Sequence, residues 1–306
     1  MTTVDSHTAG HRSALRGPAR WNRPLLWLTA ACAVLALISG IGIVVDDRIL
    51  TGVPIWLKPF KFGVSFAVYA WTLAWLLAIL PRRSRPAEWA GVIIVGVTVI
   101  ELAVIVIQVL RGTTSHYNTA TPFDSMLWNT MGASIMVLFF AQVVIGVTVL
   151  RQRIPDRVAA YAVRLGLGIS LLGMGLAFLM TSQQAPGGTI GAHAVGVADG
   201  GPGMPITGWS TTGGDLRISH FVGLHALQAL PLLAYALGRW TGWVERARAR
   251  MMLIAGGAYT GLVLLLTWQA LRAQPLLKPD TLTLAAFAAL VAVTVAASLA
   301  TVRRTA

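Results

Sequence analysis

Two histidines stand in one short run of this chain, Arg217-Ile218-Ser219-His220-Phe221-Val222-Gly223-Leu224-His225-Ala226-Leu227-Gln228. Imidazoles ligate metals and haem iron and carry protons near neutral pH. On a helix, His225 lies about 7–8 Å deeper than His220 and about 140° further round. The two are poorly placed to hold one metal together. His225 and Gln228 share a face. Pro231, three residues on, leaves the carbonyl of Leu227 without its helical donor. The run therefore predicts a polar notch in an otherwise apolar helix, and an ionisable group at that depth in a membrane defaults to a functional role. The plain alternative for His220 is a helix-end histidine at the headgroup level.

A second group runs through Glu101, Gln108 and Arg111 into Ser115-His116-Tyr117-Asn118. Glu101 falls near the middle of an apolar stretch. Gln108, two turns on, shares its face and rises toward the helix end. A carboxylate at that depth needs either a proton or a cation beside it. Glu101 and Gln108 are the candidates for proton transfer, the alternative being a hydrogen bond that glues two helices. A third group is the mouth of another apolar stretch, Trp56-Leu57-Lys58-Pro59-Phe60-Lys61. There Lys58 and Lys61 could bind a carboxylate, a propionate or another anionic group, or simply anchor the helix at the interface. Asp215 and Arg217 precede the two-histidine run, and Asp215 or Ser219 could cap that helix. Asp124, Ser125 and Asn129, and Trp268, Gln269 and Arg272, add polar groups at a similar level. There is no catalytic triad, phosphate-binding loop, zinc signature or dinucleotide fingerprint.

The elements that must position these residues are helices in lipid. The chain has 306 residues, 56% hydrophobic and only 11% charged. Eight apolar stretches are long enough to span a bilayer: 25–45, 60–80, 87–110, 125–150, 158–182, 219–237, 251–271 and 281–302. They are apolar all round rather than alternating, which excludes barrel strands. The expected fold is an all-α polytopic bundle of about eight transmembrane helices. The first stretch is too long for a signal-peptide core and reads as a retained helix. Cys32 is the single cysteine, so no disulfide forms within the chain.

Charge gives the expected orientation. With the N-terminus inside, the inner segments collect 17 basic and four acidic residues. The remaining seven basic and seven acidic residues are outside or in the membrane. The whole net charge of +13 thus falls on one side. This positive-inside pattern predicts N-in and C-in. It reads as an orientation and anionic-lipid signal, and a nucleic-acid partner is not expected. All three lysines and four of the six histidines fall on the outer side.

The expected organisation is a polar tail over 1–24 and one membrane domain over 25–302, divisible into four-helix halves at 25–150 and 158–302. A loop over 183–218 with ten glycines is long enough to be either a cover for a site or disordered. Gly166 and Ser170, and Gly257 and Gly261, have the spacing that lets helix backbones approach. The eighth stretch, rich in Ala, Val and Leu, reads as a lipid-facing wall.

The segments 115–118 and 214–228 resemble those of a group of uncharacterised bacterial multi-pass membrane proteins. That resemblance implies a bacterial plasma membrane and attaches no activity. Eight helices with ends inside and histidines at the outer ends also resemble haem A synthase, and that resemblance implies haem. Haem A synthase carries ligand histidines on the even-numbered helices of both halves. Here only the sixth stretch has histidines and there is no external cysteine pair, so that activity is not expected. Three functions remain open. One is a redox or cofactor-binding protein in which His116 and His225 (or His220) ligate haem b or a metal ion, with Lys58, Lys61, Arg111, Asp215, Arg217 and Gln228 around the cofactor. Another is a transporter or lipid-handling protein with an outward pocket for a small anion or headgroup. The last is a sensor or assembly subunit whose polar groups only join helices.

Overall fold

The computed structural model describes residues 21–184 and 190–303. Most of the expected polar tail, and the glycine pair 187–188, lie outside the described residues. Within them are eight long helices: α1 (Arg23–Val45), α2 (Leu57–Ile79), α3 (Arg85–Leu110), α4 (Pro122–Arg151), α5 (Arg157–Thr181), α6 (Leu216–Trp240), α7 (Glu245–Leu271) and α8 (Thr281–Arg303). Each is long and apolar enough to cross a membrane. The protein is an integral membrane helix bundle. Two small antiparallel hairpins complete it, β1 (Ile49–Leu50) with β2 (Val53–Pro54), and β3 (Ala194–Val195) with β4 (Gly214–Asp215).

All eight apolar stretches are helices, with edges that differ where polar residues continue a helix past its apolar part. α7 begins at Glu245, six residues before the apolar stretch, because Glu245–Arg250 keep helical hydrogen bonding. α6 begins at Leu216, because Asp215 accepts from the backbone N–H of Arg217 at 3.0 Å; of the two candidate caps, Asp215 holds the position. Asn22 caps α1 through Leu25 N–H at 3.2 Å and donates to Glu88 at 2.7 Å, tying the start of α1 to the start of α3. Pro231 lies inside α6 without ending it.

Two large apolar cores and two smaller clusters hold the described bundle. One large core joins α1–α4 and is completed by Val163, Leu167, Met174 and Leu227 from α5 and α6. The other large core lies among α5, α6 and α7. The closest helix approach is between α5 and α6. A Cβ on Gly173 would lie 2.7 Å from backbone atoms of Gly223 and Leu224, and one on Gly166 would lie 3.0 Å from the carbonyl of Ala226. Gly257 faces open space, whereas Gly261 lies against the side chain of Leu290. α8 buries only Thr283 and Thr301 and is the expected outer wall.

Spans that alternate in direction place the turns 46–56, 111–121 and 272–280 and the described parts of 182–215 at one end, which carries the three lysines and the histidines found among the described residues. The turns 80–84, 152–156 and 241–244 lie at the other, arginine-rich end.

Candidate functional site

At the histidine-bearing end α2 presents Lys58, α3 presents Glu101, and the two connecting loops present His116 and His193. Glu101 is buried at 4% exposure, and its Oε1 has no hydrogen-bond partner. Lys58 is half-buried and donates no hydrogen bond among the described residues. Its ammonium lies within Coulombic range of Glu101, Asp199, Arg217 and Lys61. Lys61 lies within range of Arg217 and Asp215. Six ionisable groups therefore form one cluster, three basic and three acidic.

Aromatic rings pack around His116. Its centroid is 5.5 Å from Trp128, 5.9 Å from Phe62 and 6.4 Å from His193. Tyr117 lies 4.7 Å from Trp128 and 5.0 Å from His193. This packing dictates a glycine: at Gly191 the backbone has φ +98°, and a Cβ would lie 2.3 Å from the ring of Tyr117. Burial, with the charges of Lys58 and His193, holds His116 well below the ordinary histidine range. Burial also lowers His193, although its bond to Asp199 opposes the shift. Burial alone would raise Asp199. The ring of His193 at 2.7 Å, with the N–H groups of His193 and Ala194, outweighs burial and holds the carboxyl below its usual range.

Three of the four described histidines donate from Nδ1 to an oxygen acceptor. Nδ1 of His193 donates to Asp199 at 2.7 Å, that of His220 to the carbonyl of Gly173 at 2.7 Å, and that of His225 to Gln228 Oε1 at 3.3 Å. Nδ1 of His116 faces the Ser115 hydroxyl at 3.2 Å. In the neutral rings of His193, His220 and His225, which donate from Nδ1, Nε2 is the lone-pair nitrogen; the Ser115 hydroxyl can donate or accept, so His116 fits either tautomer. None of the four Nε2 atoms has a hydrogen-bond partner among the described residues.

The remaining candidates hold the site rather than enter it. Gln108 donates to Asp124 at 2.7 Å, Thr121 donates to the same carboxylate at 2.6 Å, and Arg111 bonds both Gln108 and Asp124. This network closes the α3–α4 turn and leaves Gln108 no free polar atom facing Glu101's charge. Arg217 pairs with Asp215 and donates to the Gly208 carbonyl at 2.7 Å. Lys61 donates to the Thr207 carbonyl at 2.9 Å. The described part of the long loop is thus fastened to α2 and α6, and it presses on α7: a Cβ on Gly214 would lie 1.9 Å from the Ala270 carbonyl. Arg272 pairs with Asp280 and Gln269 donates to the Pro275 carbonyl at 2.8 Å, closing the α7–α8 turn.

The structure brings together Lys58, Glu101 and His116 from the sequence candidates, and adds His193, Asp199 and Trp128. The imidazole beside His116 is that of His193, at 6.4 Å, rather than that of His225. His225 is exposed and turned to Gln228, whose amide donates to Thr72 at 3.2 Å. His220 lies behind the site on the α5–α6 crossing. Among the described residues no group of three or more His, Cys, Asp or Glu side chains is arranged to hold a metal ion. The signal for the missed pair was faint: a histidine in a glycine-rich loop, with an acid six residues on. No known protein family, curated protein or solved structure matches this chain.

Proposed function

We propose that this protein binds a small anionic group at its histidine-bearing end and couples that binding to a proton, as a transporter does. The observation that carries the reading is Lys58, a half-buried ammonium without a hydrogen-bond partner among the described residues, in range of a buried carboxylate with a free oxygen. With all six groups of the cluster charged, the three basic and three acidic ones balance. An added anion would leave the site one negative charge in excess, and such a charge is costly away from water. A proton on Glu101 restores the balance. Binding of one anion is then linked to uptake of one proton, with Glu101 as the acceptor and the fastened loop as the cover. In lipid the arginine-rich end faces the cytoplasm of a bacterial plasma membrane, with both termini there.

The test is binding of acetate and of inorganic phosphate to purified protein, followed by thermal protection. Lys58→Gln is expected to abolish protection by either anion, and Glu101→Gln to abolish its pH dependence. Protection that is unchanged in Lys58→Gln would refute the reading. Reporter fusions at the two termini check the orientation.

The Nδ1 donation shared by three histidines supports a second reading, in which haem b or a metal ion is ligated by Nε2 atoms. Metal-bound histidines commonly donate their other N–H to a carboxylate or backbone carbonyl, as His193 and His220 do. A Soret band or bound metal in the purified protein would favour it, and a sample with neither would remove it.

A further inference from the structure

One stripe of α2 continues from Lys58 through Phe62, Ser65, Tyr69 and Thr72, the spacing of a single helix face. This stripe is turned away from α1, against which α2 buries Gly63 with a would-be Cβ only 3.0 Å from the backbone of Cys32 and Ala36. It faces the rest of the bundle: Phe62 meets His116, Tyr69 donates to Gln142 on α4 at 2.5 Å, and Thr72 accepts from Gln228 on α6. A helix face turned inward should be buried. Lys58, Phe62, Ser65, Phe66 and Tyr69 are only half-buried, as are Phe139, Leu171 and Leu224 on α4, α5 and α6, which pack on the same core. We take the surface these residues keep as the lining of a cleft between α2 and the helices opposite.

The cleft is polar at its mouth and apolar along its wall. Phe62 and Phe66 lie 6.1 Å apart, and Phe66 and Tyr69 lie 6.3 Å apart, a ladder of rings below Lys58. Its floor is polar again and closed: Tyr69 bonds Gln142, Gln142 bonds Ser170 at 3.1 Å, and Gln228 bonds Thr72 at 3.2 Å. From Lys58 to Tyr69 the helix rises about 16 Å, room for a chain of roughly a dozen methylenes.

Resting on the anion-binding reading, we infer that the ligand is a single-chain amphiphile, with an anionic head at Lys58 and a hydrocarbon tail along the Phe62–Phe66–Tyr69 wall. Charge selects the head, and the apolar wall lined by half-buried rings selects the tail. A small anion would leave that wall uncovered.

The experiment is a chain-length series of carboxylates, acetate, butyrate, octanoate and laurate, bound to the full chain in amphipol. Binding to Lys58→Gln is subtracted as partitioning. Affinity is expected to rise roughly three- to fourfold per methylene up to about laurate, and Phe66→Ala is expected to weaken laurate while leaving acetate unchanged. The trend with chain length is read on the unmodified protein, and Lys58→Gln serves as the blank once its circular dichroism and size-exclusion profile match those of the unmodified protein. Lys58-dependent binding of acetate with no gain for laurate would overturn the amphiphile and leave the anion site standing. Loss of Lys58 dependence for every member would overturn the anion site itself.

Discussion

Replacing Gly223 by alanine tests whether backbone contact between α5 and α6 positions the site. The added Cβ would lie 2.6 Å from Gly173 Cα. Non-bonded carbons rest at about 3.5–4.0 Å, so the helices must part by about 1 Å. The atom met is backbone, so no side chain can rotate away. Overpacking of this kind costs about 1–3 kcal/mol. Parting the helices also stretches the bond from His220 to the Gly173 carbonyl, and an interhelical hydrogen bond in a membrane is worth about 0.6 kcal/mol on average. The expected loss is therefore about 2–3 kcal/mol. Gly175→Ala is the control, since nothing lies within 4 Å of its would-be Cβ. That change should be neutral or gain up to about 1 kcal/mol in helix propensity. Reversible unfolding in mixed micelles, titrated with SDS and followed by circular dichroism, measures both. If the two variants fall within about 0.5 kcal/mol of each other, well inside the overpacking range, the backbone contact does not hold these helices.

Acid should loosen the fastened loop. His116 and His193 are held below their ordinary value of about 6.5 by burial. Below that pH the unfolded loop binds more protons than the folded one, so stability falls as pH falls, by at most about 1.4 kcal/mol per unit for each histidine. Asp199 is lowered instead, and its contribution is lost only below its unfolded value of about 3.9, outside a window of about pH 7.5 to 5.5. Hydrogen exchange over 190–215 should show protection falling across that window, and unchanged protection would contradict this account. Asp215→Ala removes the α6 cap and strands Arg217, at about 2–4 kcal/mol; proteases should then cut the loop, and a loop as resistant as before would show that the pair does not fasten it. Between α2 and α4, a double-mutant cycle of Tyr69→Phe and Gln142→Leu should give a coupling of about 0.5–1.5 kcal/mol, and additive effects would mean that the two groups do not interact.

The bundle was legible because lipid demands long apolar runs, and every one of the eight is a helix. Helix ends were less so: apolarity marks where lipid is, whereas helical hydrogen bonding continues through the charged residues Glu245–Arg250. Residue type and position raised Lys58, Glu101 and His116 as candidates, and the structure places them near one another. The same signals also raised Gln108, Arg111 and Asp215, which the structure shows saturated by neighbours. A sequence reveals that a group is polar but not whether its partners are already at hand. His193 and Asp199 escaped because their loop looks flexible by composition. Its order comes from Lys61 and Arg217, whose donors reach the carbonyls of Thr207 and Gly208 across the chain.

The closed floor beneath the cleft has a consequence for leakage. Under the transport reading, Tyr69, Gln142, Ser170, Thr72 and Gln228 would seal a route between the two ends, and among the described residues three interhelical bonds join them. At the membrane average these amount to about 2 kcal/mol together, a population of open molecules of a few per cent if nothing else resisted. What keeps ions from slipping through must then be the dry layer beyond, where Ile145, Val149, Val163, Leu167 and Leu227 are each 2% exposed or less. The hydrogen bonds decide which helices stay in register; the apolar layer keeps the membrane insulating.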